Sequence, residues 1–482
     1  MSQTTAETTA EPTVKTTAPA KKEYPYYLIE PCETDRVKHF LEAFAAILAH
    51  SNYKPLLDQY ISSSTKCSRC TATCPVYQVT GDPRDIPCNR SNLLLKTYRR
   101  HFTMAGWLKA KFTGDPGLTE GDIDEMMDLL YRCTACRRCK IECPMGIDHG
   151  LMTHLGRWIL SELGLVPKGL EVATIEQLHG DTGNTSGIPS HTLVDTLEFL
   201  EEEVEEALGK KLKYPVDEMD REYVFFPAVS DYLMEPETLM GNLAVIHAAG
   251  DDENWTIGTG YFDGINYGLF YSDHVLERVV RKMTDEVKRL RGKKILIGEC
   301  GHASRVAKDF IPVFSSQDAV PVVNILQYTY EKLLAGKIVI DPNVITERVT
   351  YHDPCNIARS GWIIDEPRKL LQSFCRDFVD MAPNGRMNYC CGGGGGTVSV
   401  DEIHEFRMEI GGRKKAEQIR ETGAKYVVAP CANCKKQISE LIEHHGIDAK
   451  CVGLHDLILK AIRIPGAIQP GSNGGNGNPA GD

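Results

Sequence analysis

From Asp35 to about Gly169 the apolar residues recur at helical spacing. Within that stretch, Thr119 followed by Asp122 ahead of "IDEMMDLLYRC" predicts an N-capped helix running into Cys133. Between His191 and Gly209 the residues Leu193, Leu197, Leu200, Val204 and Leu208 form one stripe, with "EEEVEE" on the solvated face and Gly209 as the C-cap. Beyond Tyr223 the period changes. Short apolar runs, "YVFFPAV", "KKILIG", "RVTYHDPC" and "AKYVVAPC", alternate with long helical stretches such as Asp401 to Glu421, which is the pattern of an α/β fold. The chain therefore divides into a tail at 1–22, an all-helical domain at 23–170, a helical linker at 171–220, two α/β units at 221–335 and 336–466, and a second tail at 467–482. Both tails are poor in large apolar groups and are expected to stay disordered.

The two α/β units read as a weak internal repeat. "ILIGECGHASR" and "YVVAPCANCKK" are each a strand that ends in a cysteine turn before a helix, so that Cys300 matches Cys431 and Ala303 matches Cys434. "YVFFPAVSD" parallels "TYHDPCNIA", which sets Ala228 against Cys355. The first unit reads as the second with its cysteines removed.

At 482 residues, 42% hydrophobic and 25% charged, the chain is too long for one core and ordinary for a globular protein. It has no run of eighteen apolar residues and no hydrophobic leader, so a cytoplasmic location without a membrane span is expected. A net charge of -12 disfavours nucleic acid, which is bound through basic surface. Seventeen cysteines without an export signal point to metal ligands or reactive thiols and not to disulfides.

Residues 133 to 144 carry Cys133, Cys136, Cys139 and Cys143 with two, two and three residues between them and a proline after the last, the spacing of a bacterial ferredoxin run. Three thiolates on one tight loop can cap three irons of a cube, while the cysteine before proline is aimed at a neighbouring cluster. Four incidental thiols or a zinc site are the alternatives. Upstream, Cys67, Cys70 and Cys74 form the last three-quarters of the same motif, and its first position falls on Ser64. Exchanging the last cysteines groups Cys74 with Cys133, Cys136 and Cys139, and leaves Cys67, Cys70 and Cys143 one ligand short. Cys88, apparently at a helix start where the macrodipole favours a thiolate, is one candidate. A Ser64 oxygen or an open iron position are others, and Cys88 as a plain buried side chain is a third.

Near the C-terminus Cys355, the vicinal Cys390 and Cys391, and the pair Cys431 and Cys434 lie in three turn signals that could converge at one sheet edge. Five thiols suit a larger or distorted cluster, or a cube plus one reactive thiol. The adjoining five-glycine run could be a flexible loop, but its contact with the vicinal cysteines favours packing against a bulky inorganic ligand, and no Gly-Lys-Ser/Thr follows to make it a phosphate loop. Cys300, the one thiol left in the first unit, has His302 beside it and could act as a redox thiol with the imidazole as proton donor, or be a buried remnant. Cys32, Cys375 and Cys451 have no partner pattern and read as small buried hydrophobes.

Together these features resemble the heterodisulfide reductase catalytic-subunit superfamily, over roughly residues 60 to 460. The resemblance implies a helical ferredoxin-type domain with two cubane [4Fe-4S] clusters, followed by cysteine-rich repeats. It also implies that Cys355, Cys390, Cys391, Cys431 and Cys434 hold one noncubane cluster at which a disulfide is cleaved in two one-electron steps. Within the superfamily, "GDPRDIPCNRSNLLLKTYRRHFT" and "CTACRRCKIECPMGID" are most similar to the iron–sulfur subunit of the sulfite-reductase-linked membrane complex. That likeness implies attachment at the inner face of the cytoplasmic membrane beside a haem b quinone-interacting subunit. The substrate it implies is a disulfide or trisulfide on a small cysteine-tailed carrier protein. "CTATCPVYQ" is similar as well to iron–sulfur subunits of glycolate, lactate and glycerol-3-phosphate dehydrogenases, and a pure electron relay is a third reading.

Overall fold

The computed structural model describes residues 27–31 and 34–466. Cys32 and the two tails lie outside the described residues.

The helical spacing of the front third produces the helices Arg36–His50, Tyr53–Ser63, Pro87–Phe102, Glu120–Tyr131 and His149–Glu162. Thr119 and Asp122 form the expected capping box at the start of Glu120–Tyr131, each side chain bonded to the other's backbone N–H. His149–Glu162 is the axis of this layer, with every residue but Leu151 buried. Its apolar contacts with Phe40, Phe44, Tyr98 and Leu130 continue without a break into Val279, Ile297 and Ala303 of the first α/β unit, so the two regions share one core.

Two four-stranded parallel sheets follow. The first contains β1 (Tyr223–Phe226), β2 (Trp255–Thr256), β3 (Lys294–Ile297) and β4 (Val322–Asn324); the second contains β5 (Val349–Tyr351), β6 (Phe378–Asp380), β7 (Tyr426–Val428) and β8 (Lys450–Val452). Their orders, β2-β1-β3-β4 and β6-β5-β7-β8, are the same topology, which is the repeat read from the sequence. Cys300 and Cys431 sit three residues past the ends of β3 and β7, as N-caps of the helices Gly301–Phe314 and Ala432–His444, in the same tight turn. The first strands align differently from the sequence match. Phe226 pairs with Ile297 and Tyr351 with Val428, so strand register sets Ala228 against Asp353 and not against Cys355. The loop leaving β5 carries the two-residue offset.

The helix Ser190–Leu208 buries the five residues of its stripe and ends on Gly209 at φ 67°. The helical stretch expected over Asp401 to Glu421 is broken. Short turns lead into a wide turn at Arg407–Gly411, and a regular helix resumes only at Arg413–Thr422. The cause is packing: the backbone of Gly411 and Gly412 runs against Gly392, where a side chain at residue 392 would start 2.7 Å from the Gly412 nitrogen.

Candidate metal centre

Two loops in the helical layer have one backbone shape. Lys66 and Ser68 in the first loop, and Ala135 and Arg137 in the second, are non-glycine residues at φ 49–62°, in the left-handed region. Such residues persist only where the surroundings demand them, and alternation with right-handed neighbours turns successive N–H groups into a concavity suited to an anion. The Arg69 N–H is bonded to the Cys67 sulfur, the Arg138 N–H to Cys136, and Ala135 N lies 3.4 Å from the Cys133 sulfur.

Cys67, Cys70, Cys88 and Cys143 line one cavity, of about 340 Å³, and Ser64 lies on its wall. Cys88 is the second residue of Pro87–Phe102. Contact with the Cys70 thiol pushes Cys88 down while Cys70 is pushed up. Cys67 is exposed, so this cavity reaches the surface. Cys74, Cys133, Cys136 and Cys139 line a second cavity, of about 450 Å³. The structure thus exchanges the two cysteines that precede proline. His149 lies in the walls of both cavities, its imidazole held neutral by burial that pushes it down to about 4. Arg90 lines the second cavity, 3% exposed, with its Nε unpartnered. Burial opposes its charge, and Cys133, Cys74, Asp85 and Cys139 together outweigh that opposition. Four thiols and inward N–H groups in each cavity, with the buried Arg90 cation in the second, fit an anionic iron–sulfur cluster at each place.

The third group lies at the carboxyl ends of β5 and β7, where open parallel sheets place their sites. Cys355, Cys390, Cys391, Cys431 and Cys434 are all buried, none more than 8% exposed. The sulfurs of Cys391 and Cys434 are 3.5 Å apart. Cys390 is in contact with Cys355, Cys391 and also Cys136, a wall residue of the second cavity. Cys391 is pushed down by Cys390 and Cys434, and Cys431 by Cys434. Two imidazoles flank the thiols. His302 lies against Cys431 with its Nδ1 unpartnered, and His352 lies against Cys391, within 4.8 Å of both Cys391 and Cys434. Cys300 is wholly buried, its sulfur accepting from Ala303 N at 3.4 Å, and burial pushes its thiol up. Cys375 is buried among apolar residues and pushed up to about 12, and Cys451 is half-buried on β8.

Two cations that the sequence left unmarked complete the group. Lys415 is fully buried, bonded to Asn388 Oδ1 at 2.8 Å and Gln418 Oε1 at 2.6 Å, and burial pushes it down to about 7. Arg359 bonds the carbonyls of Asn388, Arg386 at 2.8 Å and Cys136 at 3.2 Å. Neither is seen in an ion pair with a carboxylate among the described residues, and the charges of Asp353, Cys391 and Cys390 support the Lys415 cation from farther off. This donor set fits an anionic metal–sulfur group. His352 could have been found from the sequence, because it stands in the same "HDPC" turn as Cys355; nothing in local pattern marks Lys415 or Arg359.

The glycine run stays against the vicinal cysteines, Gly392 N lying 3.4 Å from the Cys390 sulfur and Gly393 N 3.5 Å from the Cys391 sulfur, and it has a second task. A side chain at Gly394 would start 2.7 Å from the Thr134 carbonyl oxygen, and one at Gly395, whose φ is 61°, would start 2.9 Å from the Thr134 carbonyl carbon. The run seats the second ferredoxin loop directly against the cysteine pair. Arg157, fully buried, fastens the joint: it donates to Leu130 O, Cys133 O at 2.7 Å, Gly395 O at 2.5 Å and Phe270 O at 3.0 Å. Arg157→Leu removes the guanidinium donor from all four carbonyls, of which Leu130 O keeps backbone donors, and is expected to cost about 3 kcal/mol or more. Denaturant unfolding checks this, and iron loss from both joined sites should accompany it.

A cysteine-rich domain family matches residues 349–439, and a 4Fe-4S dicluster domain family matches residues 62–147. The chain is 27% identical over 467 residues to the Hdr-like menaquinol oxidoreductase iron-sulfur subunit 2 of Archaeoglobus fulgidus, covering 88% of this chain and 83% of that protein. It is 22% identical over 411 residues to a subunit of the dihydromethanophenazine:CoB--CoM heterodisulfide reductase of Methanosarcina barkeri, covering 84% of this chain and 94% of the relative. An EtfAB:quinone oxidoreductase of Syntrophomonas wolfei is 23% identical, over 86% of this chain and 58% of its own length. The resemblance drawn from the cysteine spacing is consistent with these findings: a 4Fe-4S dicluster domain precedes a cysteine-rich domain, in a chain similar over most of its length to heterodisulfide reductase and Hdr-like subunits.

Proposed function

We propose that the chain is the iron–sulfur subunit of a membrane-associated redox complex, joining a haem b quinol partner to a thiol, disulfide or trisulfide, with a small cysteine-tailed carrier protein as the bearer of the sulfur. The observation that carries this reading is the order of the thiol groups: an exposed end at Cys67, then the second cavity, then the Cys136–Cys390 contact, then a fully buried group with more thiols than a cube needs. Cys67, Cys70, Cys88 and Cys143 would hold one cubane cluster, and Cys74, Cys133, Cys136 and Cys139 the other. Cys355, Cys390, Cys391, Cys431 and Cys434 would hold the noncubane cluster. Such clusters supply single-electron transfer, which thiol exchange alone does not.

The protein's own groups prepare the sulfur chemistry. His302, beside Cys431, and His352, beside Cys391, would each hold or return a proton at the sulfur of a bound thiol, and Lys415 with Arg359 would stabilise thiolate charge in a dry site. Cys300, protonated and beside Cys431, is the candidate accepting thiol; turnover unchanged in Cys300→Ser would remove it from that role. Among the described residues no helix is long and apolar enough to cross a membrane, which suits attachment to the inner membrane face through partners. The similarity to an EtfAB:quinone oxidoreductase supports a second reading, in which the chain only wires a flavoprotein dehydrogenase to quinone. The two differ in one test: anaerobic turnover of a thiol or disulfide by the purified chain, present in the first and absent in the second.

The ligand of the first cavity has its own test. Cys88→Ser is expected to remove the resonance signal and about four irons of that site, whereas Ser64→Ala leaves both intact. The reverse pattern would assign the ligand to Ser64.

A further inference from the structure

Between the helical layer and the first α/β unit lies a cavity of about 410 Å³ that contains no cysteine. One wall is Arg305, 7% exposed, whose Nε makes no hydrogen bond but pairs at 3.6 Å with the half-exposed Asp309, and whose Nη1 makes a long hydrogen bond of 3.5 Å to Asn356 Oδ1. Arg137 enters from the second ferredoxin loop, and its charge acts unfavourably on Arg305. The carboxylates present are committed. Asp148 lies 3.3 Å from Arg137 and 3.2 Å from Lys140, and Asp273 lies 2.8 Å from His154 Nε2 and also accepts from Tyr53. Arg157, on the same wall, spends its donors on carbonyls. Two guanidinium groups facing one partly dry cavity are costly unless an anion joins them, and paired guanidiniums match a carboxylate, phosphate or sulfonate closely.

The walls of this cavity adjoin the thiol site. Ala135 and Arg137 flank Cys136, Arg305 reaches Asn356 next to Cys355, and the Phe270 ring packs edge-on against His302 with centroids 4.9 Å apart. Arg137, Leu151, Asp273 and Phe310 are partly exposed and form a mouth.

We propose that Arg305 and Arg137 form an oxyanion subsite that orients the sulfur compound by a negative group one short chain away from its reacting sulfur. This rests on the reading of the buried thiols as the reacting site. The oxyanion is supplied either by a small acidic thiol or by the terminal carboxylate of a protein tail ending in cysteine.

Binding to the whole, cluster-loaded chain can be measured with 3-(methylthio)propionate, which has the anion and no reactive thiol. Calorimetry should show binding, at least about tenfold weaker for 3-(methylthio)propanol, lost in Arg305→Met and partly kept in Arg305→Lys. Equal binding of the charged and neutral compounds by the unaltered protein would overturn the proposal without reliance on any variant. Binding of the anion unchanged in Arg305→Met, at full iron content, would do the same. In turnover, a peptide ending in cysteine with a free carboxylate is compared with its amide, beside 3-mercaptopropionate and propanethiol. A preference confined to the peptide pair identifies the tail, and one confined to the small pair identifies the small thiol. Absence of all turnover with anion binding retained would remove the reading of the thiol site and leave the subsite standing.

Discussion

Cys391→Ala is expected to abolish thiol and disulfide turnover, by at least about a thousandfold, while iron falls from about twelve to about eight atoms per chain and the two front centres keep their spectra. The expectation follows from the position of this sulfur. It is 1% exposed, 3.5 Å from the Cys434 sulfur, in contact with Cys390, and faced by His352, so it is the hub of the buried group. Cys375→Ala is the matched control. That thiol is also buried, but among Phe374 and other apolar groups, and its loss should cost about 1 kcal/mol of stability and no iron. Iron analysis and turnover on the two variants decide the matter together, since a general packing defect would affect both alike.

The parts of this arrangement that were legible in the sequence are those governed by short-range rules. Spacing of Cys133, Cys136 and Cys139 around a tight loop, the Thr119–Asp122 cap, the Gly209 terminus and the strand-to-cysteine turns at Cys300 and Cys431 each depend on a few neighbouring residues, and each stands where the pattern put it. The parallel sheets follow from the same strand runs. What local pattern could not supply are contacts made across the fold. Arg157, Arg359 and Lys415 are charged residues at core positions, and helical periodicity reads them as surface. Their burial makes sense only once carbonyls of Cys133, Gly395, Cys136 and Asn388 have been brought to them by separate segments. The glycine run carries a contact hidden for a related reason: it makes room for the backbone of Thr134, far earlier in the chain. The break near Gly411 is another long-range effect, since only the approach of Gly392 interrupts an otherwise helical sequence.

Gly394→Val is expected to keep all three centres loaded while slowing electron exchange between the buried thiol site and the front centres by about 10- to 100-fold. A β-carbon at 394 would start 2.7 Å from the Thr134 oxygen, a distance no real contact holds, so the glycine run and the second ferredoxin loop must separate. Separation pulls Cys390 from Cys136, the thiol contact that joins the two regions. Apart from Cys390 and Cys136, the cysteines of each site keep their contacts within that site. Gly446→Ala provides the comparison, because a β-carbon at Gly446 has nothing within 4 Å and meets only the backbone cost of its φ of 59°; it should cost about 1 kcal/mol and leave electron exchange unchanged. Rapid-mixing kinetics, following reduction of the front centres after thiol addition, separates the two variants.

Whether the buried thiols hold a reacting cluster is decided by an anaerobic redox titration of the whole chain followed by electron paramagnetic resonance, with iron counted and with thiol absent or present. About twelve irons are expected, with two signals indifferent to thiol and a third, from the oxidised protein, that changes when thiol is added. Twelve irons with all three signals indifferent to thiol, or eight irons and two signals, would contradict that assignment, and the buried thiols would then be no more than a wire or a structural core.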